Sequence, residues 1–400
     1  MMEQFKLKMF AKAGISCLFL ASIICLCQFI RANKKEPCYC ANPPADSLLE
    51  PCFNGNSDVD EKMVGVWISY LELKINSSQN TELKFKQKFD KIIQTAKKAH
   101  ANTLIIHVRS HSDALYRSEF FPWSHLLTGV QGKDPGFDPL EYMVNQCHKN
   151  KLKIHAWINP LRIQAKNAPS PLSENNPCHK IKGRHCLVKT SDGLYYNPAY
   201  PEVRELIKNG VKEIVSKYDV DGIHFDDYFY PESKNIPSNE NNYLSKSQAV
   251  NLMVSEVYSS IKNIKPNVQF GISPAGNINK CHEIGADPET WLGNSGYVDY
   301  LCPQLYWSLR CPALPFEKAA NIWARVPNRS RVKLYAGLAV YKIGTNLDSN
   351  TWNGSDNILA TEYAIIKNMG YKGIMLYSSS FLDTDKTRSE ISNLVKAIDQ

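Results

Sequence analysis

The sequence has little glycine and little proline, 20 and 22 of its 400 residues. Hydrophobic residues make up 43% of the chain and charged residues 22%. This composition excludes a collagen, a disordered tail protein and a small disulfide knot. We therefore expect an ordinary globular protein that buries a sizeable core.

Several functional motifs are also missing. No CxxC pair has the spacing of a zinc site, no GxSxG sequence precedes the serines at 378–380, and no glycine-rich loop follows the first predicted strand. These absences disfavour structural zinc, a serine nucleophile and a dinucleotide-binding sheet. The 47 Lys and Arg residues exceed the 39 Asp and Glu residues by 8, but no dense basic run occurs. A nucleic-acid partner is therefore not expected.

One long apolar stretch is present, at residues 13–30, and basic residues flank it on both sides. It predicts a signal peptide or a membrane anchor over residues 1–32, followed by a polar linker over 33–60 and a folded domain over 61–400. We expect the protein to be secreted, or anchored with this domain outside the cytoplasm. Membrane contact is then expected only through the N-terminal segment.

The 12 cysteines fit an oxidising compartment. A bridge between Cys178 and Cys186 is expected because it would close a short loop. Cys147, Cys281 and Cys302 could equally be buried thiols.

Short apolar runs alternate with amphipathic patterns after residue 61. The predicted strands lie at 64–73, 102–109, 152–159, 219–229, 268–274, 298–307, 332–341 and 371–378. The predicted helices lie at 84–100, 138–150, 201–217, 245–263, 288–295, 316–325, 355–369 and 388–399. Eight strand–helix units with nearly continuous apolar strands predict an α/β fold, the (β/α)8 TIM barrel. A doubly wound open sheet is the alternative.

Polar side chains share the inward face of the predicted strands. Three histidines lie low on this face: His107, His155 and His224. Arg109, Trp157 and Asp226 follow them nearer to the mouth. Because catalytic groups of barrels lie at the mouth ends of strands, Asp226 is the strongest catalytic candidate. Asp227 and Asp113 are further candidates.

The three inward histidines are a weak indication of a metal site. Metal-dependent hydrolases on this barrel commonly carry an HxH pair on the first strand, and VGVWISYLEL contains no histidine. We expect neither a metal nor a cofactor.

Aromatic residues are concentrated around the predicted mouth. They are Trp67, Tyr70, Trp123, Trp157, Tyr228, Tyr230, Tyr306, Trp307 and Tyr377. Such rings can pack on sugar faces while neighbouring amide and guanidinium groups bind hydroxyl or acetamido groups, so the pattern favours a polysaccharide cleft. The predicted substrate-binding residues are Arg109, Trp123, His155, Trp157, Asn159, His224, Tyr228, Gln304, Tyr306 and Trp307.

Several segments together resemble the glycoside-hydrolase-like family 10, also called domain of unknown function 187. They are VWISYLEL, HVRSHSDALYRSEFFPWSHLLTG with PGFDPLEYMV, HAWINPLRI, YYNPAYPEVRELI, DVDGIHFDDYFYP and VDYLCPQLYW. The resemblance implies a secreted or surface glycosidase on a (β/α)8 barrel. A bacterial member of the family acts on peptidoglycan stripped of its peptide stems, which implies a cell-envelope glycan as substrate.

A second resemblance concerns the mechanism. The segment DGIHFD is similar to the fourth strand of alpha-amylase-type and alpha-galactosidase-type barrels, which implies that Asp226 is the nucleophile. Those families supply the acid after the fifth or sixth strand, where GISPAG and YLCPQLYW contain no carboxylate. Asp287 and Glu289, on the fifth loop, are further available acids.

The leading hypothesis is an exported glycoside hydrolase for a peptidoglycan-like, N-acetylated polysaccharide. Asp226 would act as nucleophile or base, and Asp227 or Asp113 as proton donor. The alternatives are a catalytically silent glycan-binding protein and a metal-dependent deacetylase or amidase that uses the inward histidines.

Overall fold

The computed structural model describes residues 62–75, 79–166, 168–181, 185–230 and 244–400. The predicted signal or anchor at 1–32 and the linker at 33–60 lie outside these ranges, so the domain boundary near residue 61 stays a prediction. Within the described ranges, no helix has both the length and the apolar composition needed to cross a membrane.

A parallel sheet forms the centre of the fold. The strands of the described residues are β1 (Met63–Ile68), β2 (Thr103–Arg109), β3 (Lys153–Ile158), β4 (Arg162–Ala165), β5 (Leu187–Thr190), β6 (Gly193–Tyr196), β7 (Gly222–Phe225), β8 (Gln269–Ile272), β9 (Tyr300–Leu301), β10 (Lys333–Leu334), β11 (Ala336–Leu338) and β12 (Gly373–Tyr377). Nine of them form one sheet in the order β10-β9-β8-β7-β3-β2-β1-β12-β11.

The two ends of this sheet meet at Tyr335. Only this residue separates β10 from β11, and β10 pairs with β9 whereas β11 pairs with β12. The two short strands therefore act as one interrupted strand that closes an eight-part barrel. The predicted (β/α)8 barrel is confirmed.

Helices alternate with the barrel strands. The helices of the described residues are α1 (Tyr70–Leu73), α2 (Thr81–Lys98), α3 (His125–Thr128), α4 (Pro139–Lys149), α5 (Pro201–Lys217), α6 (Lys246–Ile264), α7 (Ile278–Glu283), α8 (Pro288–Gly293), α9 (Phe316–Ala324), α10 (Leu347–Asn350), α11 (Ile358–Asn368) and α12 (Arg388–Ile398). Short 3-10 turns cover Pro177–His179, Val340–Lys342 and Ser379–Phe381. The eight predicted helices are all present, with ends displaced by only a few residues.

Side chains at the helix starts explain where the helices begin. Asp138 precedes α4, and its Oδ1 accepts the backbone N–H groups of Leu140 and Glu141 at 3.1 Å each. Pro139 occupies the first turn, where a missing N–H does no harm. Ser245 and Gln248 cap each other's backbone at the start of α6, at 3.2 and 2.8 Å.

The core has two layers because side chains alternate along each strand. Val66, Leu104 and Ile106 belong to the cluster between the sheet and the helices. A second cluster fills the barrel interior: Met63, Trp67, Ile105, Trp157, Tyr300, Cys302, Tyr335 and Met375. The predicted assignment of the apolar face to the helix layer is confirmed for these strands.

Several local predictions differ from the structure; the strands predicted at 219–229 and 298–307, for example, are shorter. The first strand ends at Ile68 rather than near residue 73, because the Ser69 N–H donates to the Glu72 carboxylate at 2.6 Å and starts α1. The connection at 160–200, where no strand or helix was predicted, contains an antiparallel sheet in the order β4-β6-β5. The predicted Cys178–Cys186 bridge is wrong: both residues are free thiols, and both are buried.

Candidate active site

Asp226 lies at the carboxyl end of β7, directly after its last residue, and is only 3% exposed. Its Oδ2 accepts hydrogen bonds from Trp157 Nε1 and Asn159 Nδ2, both at 3.0 Å. Its Oδ1 accepts the backbone N–H of Tyr228 at 3.0 Å. Three N–H donors therefore point at this carboxyl group and hold it in one orientation.

Burial and a neighbouring carboxylate determine the ionisation of Asp226. Burial, followed by the negative charge of Asp227, raises the pKa of Asp226 to about 7. The charge of Arg162 and the hydrogen bonds from Tyr228 and Trp157 act in the opposite direction without cancelling these effects. A carboxyl group with this pKa changes its charge near neutral pH, as acid–base catalysts often do.

Asp227 also reaches the cleft, although a regular strand would point it away. The strand ends before it, and its Oδ1 accepts a hydrogen bond from Gln304 Nε2 at 3.1 Å. Gln304 Nε2 also lies 3.2 Å from the carbonyl oxygen and from the hydroxyl of Ser273. Residues that follow β8 and β9 therefore hold the second carboxylate beside the first.

Both carboxylates open into a cleft of about 390 Å³ at the mouth of the barrel. Its lining residues are Trp67, Ser69, Tyr70, Leu71, His107, Trp157, Asn159, Arg162, Asp226, Asp227, Tyr228, Ser273, Gln304, Tyr306, Tyr341 and Tyr377. A larger groove of about 740 Å³ lies around Lys86, Asp138 and Tyr142 on the helix layer, but neither strand-end carboxylate lines it. We therefore take the aromatic cleft as the candidate active site.

The residues beneath the cleft form a chain of buried hydrogen bonds. Trp67 Nε1 donates to His224 Nε2 at 3.2 Å, which leaves the proton of that ring on Nδ1. This Nδ1 lies 2.9 Å from the Tyr300 hydroxyl, which in turn lies 2.8 Å from His155 Nδ1. The donors therefore point in one direction, from Trp67 in the cleft floor to His155 lower in the barrel.

These two histidines are neutral at pH 7. Burial lowers the pKa of His155 to about 4, and burial also lowers the pKa of His224 well below its usual range. His155 and His224 lie below the lining of the cleft, so the structure does not support their prediction as substrate-binding residues. Within the described chain, no three His, Cys, Asp or Glu side chains are grouped so that they could hold a metal ion.

Part of the predicted site comes together in the cleft. Besides Asp226 and Asp227, the predicted residues that line it are Trp157, Asn159, Tyr228, Gln304 and Tyr306. Trp67, Tyr70 and Tyr377, expected among the aromatics of the mouth, line it as well. Each of these residues lies at the carboxyl end of a barrel strand or within the few residues that follow it, as predicted.

Arg109 does not line the cleft. The pairing of β2 with β3 shifts between His107 and Arg109, so the alternation of inward and outward side chains breaks at this bulge. The Arg109 guanidinium instead lies 4.3 Å from the ring centre of Phe121. It also lies against Gly210 of α5, where a Cβ would collide with it. The predicted position of Arg109 on the inward face of the mouth is wrong for this reason.

Asp113 is buried outside the cleft in the loop after β2. Its Oδ2 lies 3.0 Å from His125 Nδ1 and accepts a hydrogen bond from Gln131 at 3.2 Å. Burial raises the pKa of Asp113, but the hydrogen bond from His125 and the neighbouring histidines outweigh it, so its pKa is lowered. Asp113 therefore lies apart from the two cleft carboxylates, in a site that favours its ionised form rather than that of a proton donor.

The remaining predicted residues are also placed elsewhere. Trp123 pairs with Ala114 within the loop after β2, and the Trp307 ring packs where a side chain on Gly276 would lie. Tyr230 is buried and donates to Asn197 Oδ1 at 2.8 Å. Of the acids on the fifth loop, Asp287 caps α8 and Glu289 pairs with His282 at 3.0 Å.

Six cleft residues were not predicted to line it: Ser69, Leu71, His107, Arg162, Ser273 and Tyr341. Ser273 directly follows β8, and Arg162 stands three positions after Asn159 in the segment HAWINPLRI. Position after a strand end was the available signal for Ser69 and Ser273. No such signal existed for Arg162, which belongs to the added sheet.

A (β/α)8 barrel with adjacent carboxylates in an aromatic cleft at its mouth is the architecture of many glycoside hydrolases. The chain belongs to the glycosyl hydrolase-like 10 family, whose model matches residues 62–248 and 232–353. The predicted family is therefore confirmed.

Individual relatives agree with this assignment. Glycosyl hydrolase YngK of Bacillus subtilis is 34% identical over 331 residues, which cover 74% of this chain and 64% of the relative. The chain thus spans about two thirds of the length of YngK. Glycosyl hydrolase DigH of Escherichia coli K12 is 32% identical over 356 residues, which cover 77% of this chain and 81% of the relative.

A solved structure supports the fold. The glycoside hydrolase domain of PgaB (BpsB) from Bordetella bronchiseptica superposes with a TM-score of 0.54 at 10% sequence identity. The superposition covers 84% of this chain and 98% of that domain. It shows a shared barrel.

Proposed function

We propose that this protein hydrolyses glycosidic bonds in a peptidoglycan-like, N-acetylated polysaccharide of the cell envelope. The observation that carries the proposal is the position of Asp226, a buried carboxyl group with a pKa near 7 at a strand end in an aromatic cleft, beside Asp227. Family membership supports the reaction class, and the family resemblance supports the choice of polysaccharide.

The contacts of Asp226 favour its action as an anion. All three of its partners are N–H donors, which stabilise a negatively charged carboxylate better than a neutral acid. Asp226 therefore acts as the nucleophile on the anomeric carbon, or as the base that takes a proton from water. The pair then shares one proton: while Asp226 is ionised, Asp227 carries this proton and donates it to the glycosidic oxygen as the bond between this oxygen and the anomeric carbon breaks.

The aromatic walls suit a sugar polymer. The Tyr377 ring lies 6.0 Å from Tyr306 and 5.8 Å from Tyr341, and Tyr228, which is 52% exposed, forms part of the rim. Ring faces of this kind pack against the C–H faces of sugars, while Asn159 and Gln304 offer polar groups beside the carboxylates. The apolar stretch at 13–30 is the basis for proposing that the domain acts outside the cytoplasm.

One observation favours the second candidate, a silent glycan-binding protein. The positions after β8 and β9, which supply the acid in the alpha-amylase-type and alpha-galactosidase-type barrels that the sequence resembles, carry Ser273 and Gln304. A chain without an effective acid would bind the polymer and leave it intact.

The test is digestion of purified peptidoglycan, with and without peptide stems, followed by mass spectrometry of the released fragments. The wild type is expected to release fragments, and Asp226→Asn should keep its fold and glycan binding but lose turnover by several orders of magnitude. Asp219→Asn is the matched control, since Asp219 has an 83% exposed side chain and precedes the same strand at the opposite end of the barrel. Binding without any released fragment would favour the silent protein, and near-normal hydrolysis by Asp226→Asn would refute the assignment.

A further inference from the structure

Arg162 is a fixed cation in the cleft. It is the first residue of β4, lines the cleft and is 6% exposed. Its Nε donates to the carbonyl oxygen of Ser110 at 2.8 Å. The guanidinium carbon lies 4.9 Å from the ring centre of Tyr228 and 5.5 Å from that of Tyr70. One hydrogen bond and two aromatic rings therefore determine the orientation of this group.

Arg162 forms no ion pair within the described residues, although its charge favours the ionised form of Asp226. Its Nη2 is buried and has no hydrogen-bond partner there. A guanidinium has a planar set of N–H donors that matches the two oxygens of a carboxylate. Because buried N–H groups in native proteins are nearly always paired, this nitrogen indicates a group that the cleft receives from its ligand.

A second buried atom in the cleft agrees with this interpretation. Asn159 Oδ1 also lacks a partner, although the Nδ2 of the same side chain is bonded to Asp226. Two residues that line the cleft thus each have a buried polar atom without a partner, one an acceptor and one a cationic donor. A neutral sugar could satisfy the amide, but it has no anion to place against the guanidinium.

We propose that Arg162 binds a carboxylate on a sugar unit in the cleft, so that the preferred ligand is an acidic sugar. The proposal rests on the proposed function for the identity of the ligand as a glycan. The carboxylate has two possible sources: a lactyl ether substituent, as in N-acetylmuramic acid, or a ring carboxylate, as in glucuronic acid.

Equilibrium binding tests this proposal without requiring hydrolysis. The full chain is titrated in a calorimeter with the disaccharide of N-acetylglucosamine and N-acetylmuramic acid, with its methyl ester, and with N,N′-diacetylchitobiose. The wild type should bind the acid about 10- to 100-fold more tightly than the ester or chitobiose, in the range typical of a hydrogen bond to a charged group. Glucuronic acid compared with glucose tests the ring carboxylate in the same way.

Three variants complete the experiment. Arg162→Gln should bind the acid and the ester equally, Arg162→Lys should keep part of the preference, and Arg388→Gln, on an exposed arginine outside the cleft, should keep all of it. Circular dichroism verifies that each variant is folded. Arg162→Lys keeps the test valid if Arg162→Gln does not fold.

Several outcomes would overturn the proposal. They are equal binding of the acidic and neutral forms of both ligand pairs by the wild type, no binding of any of these ligands, and a preference that survives in Arg162→Gln. Arg162 could instead act only on the ionisation of Asp226; its replacement would then shift the pH profile of hydrolysis and leave the preference unchanged. An Arg162-dependent preference without hydrolysis of any glycan would sustain this proposal and refute the proposed function.

Discussion

Removal of the Tyr300 hydroxyl, which lies in the barrel interior, should lower the free energy of unfolding. Tyr300→Phe keeps the ring but leaves His155 Nδ1 and His224 Nδ1 without their partner, at present 2.8 and 2.9 Å away. Both histidines are at most 1% exposed, so water cannot replace the hydroxyl. Each unpaired group costs about 1–3 kcal/mol, so the free energy of unfolding should fall by about 2–6 kcal/mol.

Tyr363→Phe is the matched control for this experiment. The Tyr363 hydroxyl is buried but has no hydrogen-bond partner among the described residues, so its removal should cost nothing or stabilise the protein slightly. Equilibrium unfolding in urea at pH 7, followed by tryptophan fluorescence, gives both values. If the two variants differ by less than about 0.5 kcal/mol, the hydroxyl of Tyr300 does not hold the histidines as the distances indicate.

Three further predictions concern ionisation and the domain boundary. On an aryl glycoside with a good leaving group, which needs no proton donor, kcat/KM should fall below pH 7, because Asp226 has a pKa of about 7 and acts in its ionised form. Asp227→Asn removes the neighbouring negative charge and should move this limb of kcat/KM about 1 pH unit or more lower; an unchanged limb would contradict the coupling. Burial raises the pKa of Glu362 well above 4.5, so the folded state binds the carboxyl proton more tightly than the unfolded state, and the free energy of unfolding should fall as pH rises beyond 4.5. Glu362→Gln should therefore stabilise the protein more at pH 8 than at pH 5, as measured by urea unfolding. Equal stabilisation at both pH values would exclude the ionisation of Glu362 as the cause. Residues 61–400 expressed alone should fold, as measured by circular dichroism, and an insoluble product from this segment, when the longer protein is soluble, would move the boundary.

The features that were predictable from the sequence depend on short-range periodicity. Short apolar runs identified the barrel strands, alternation along each run assigned its two faces, and the strand ends identified Asp226, Trp157 and Asn159. Apolar residues at helical spacing identified the outer helices within a few residues. These signals are local, because the period of a strand or a helix is visible within one turn or one pleat.

The features that were missed depend on contacts between distant segments. Arg109 follows the polar alternation of its strand, and only the pairing with β3 shows the bulge that turns it toward α5. Arg162 reaches the cleft because β4 pairs with β6, about thirty positions further along the chain. Neither pairing leaves a periodic signal in the sequence, so neither residue could be placed before the structure was known.

The sheet formed by β4, β6 and β5 carries Arg162 on a segment separate from the strand that precedes the two aspartates. Its strands pair only with one another in the described chain, whereas both carboxylates follow a strand of the barrel. Arg162 is anchored to the loop after β2 through a carbonyl oxygen, a group that every residue at position 110 would provide. Relatives could therefore exchange this inserted segment, and with it the charge that their clefts present, while they inherit the same barrel and the same aspartates. Substrate preference in such a lineage would diverge faster than reaction type.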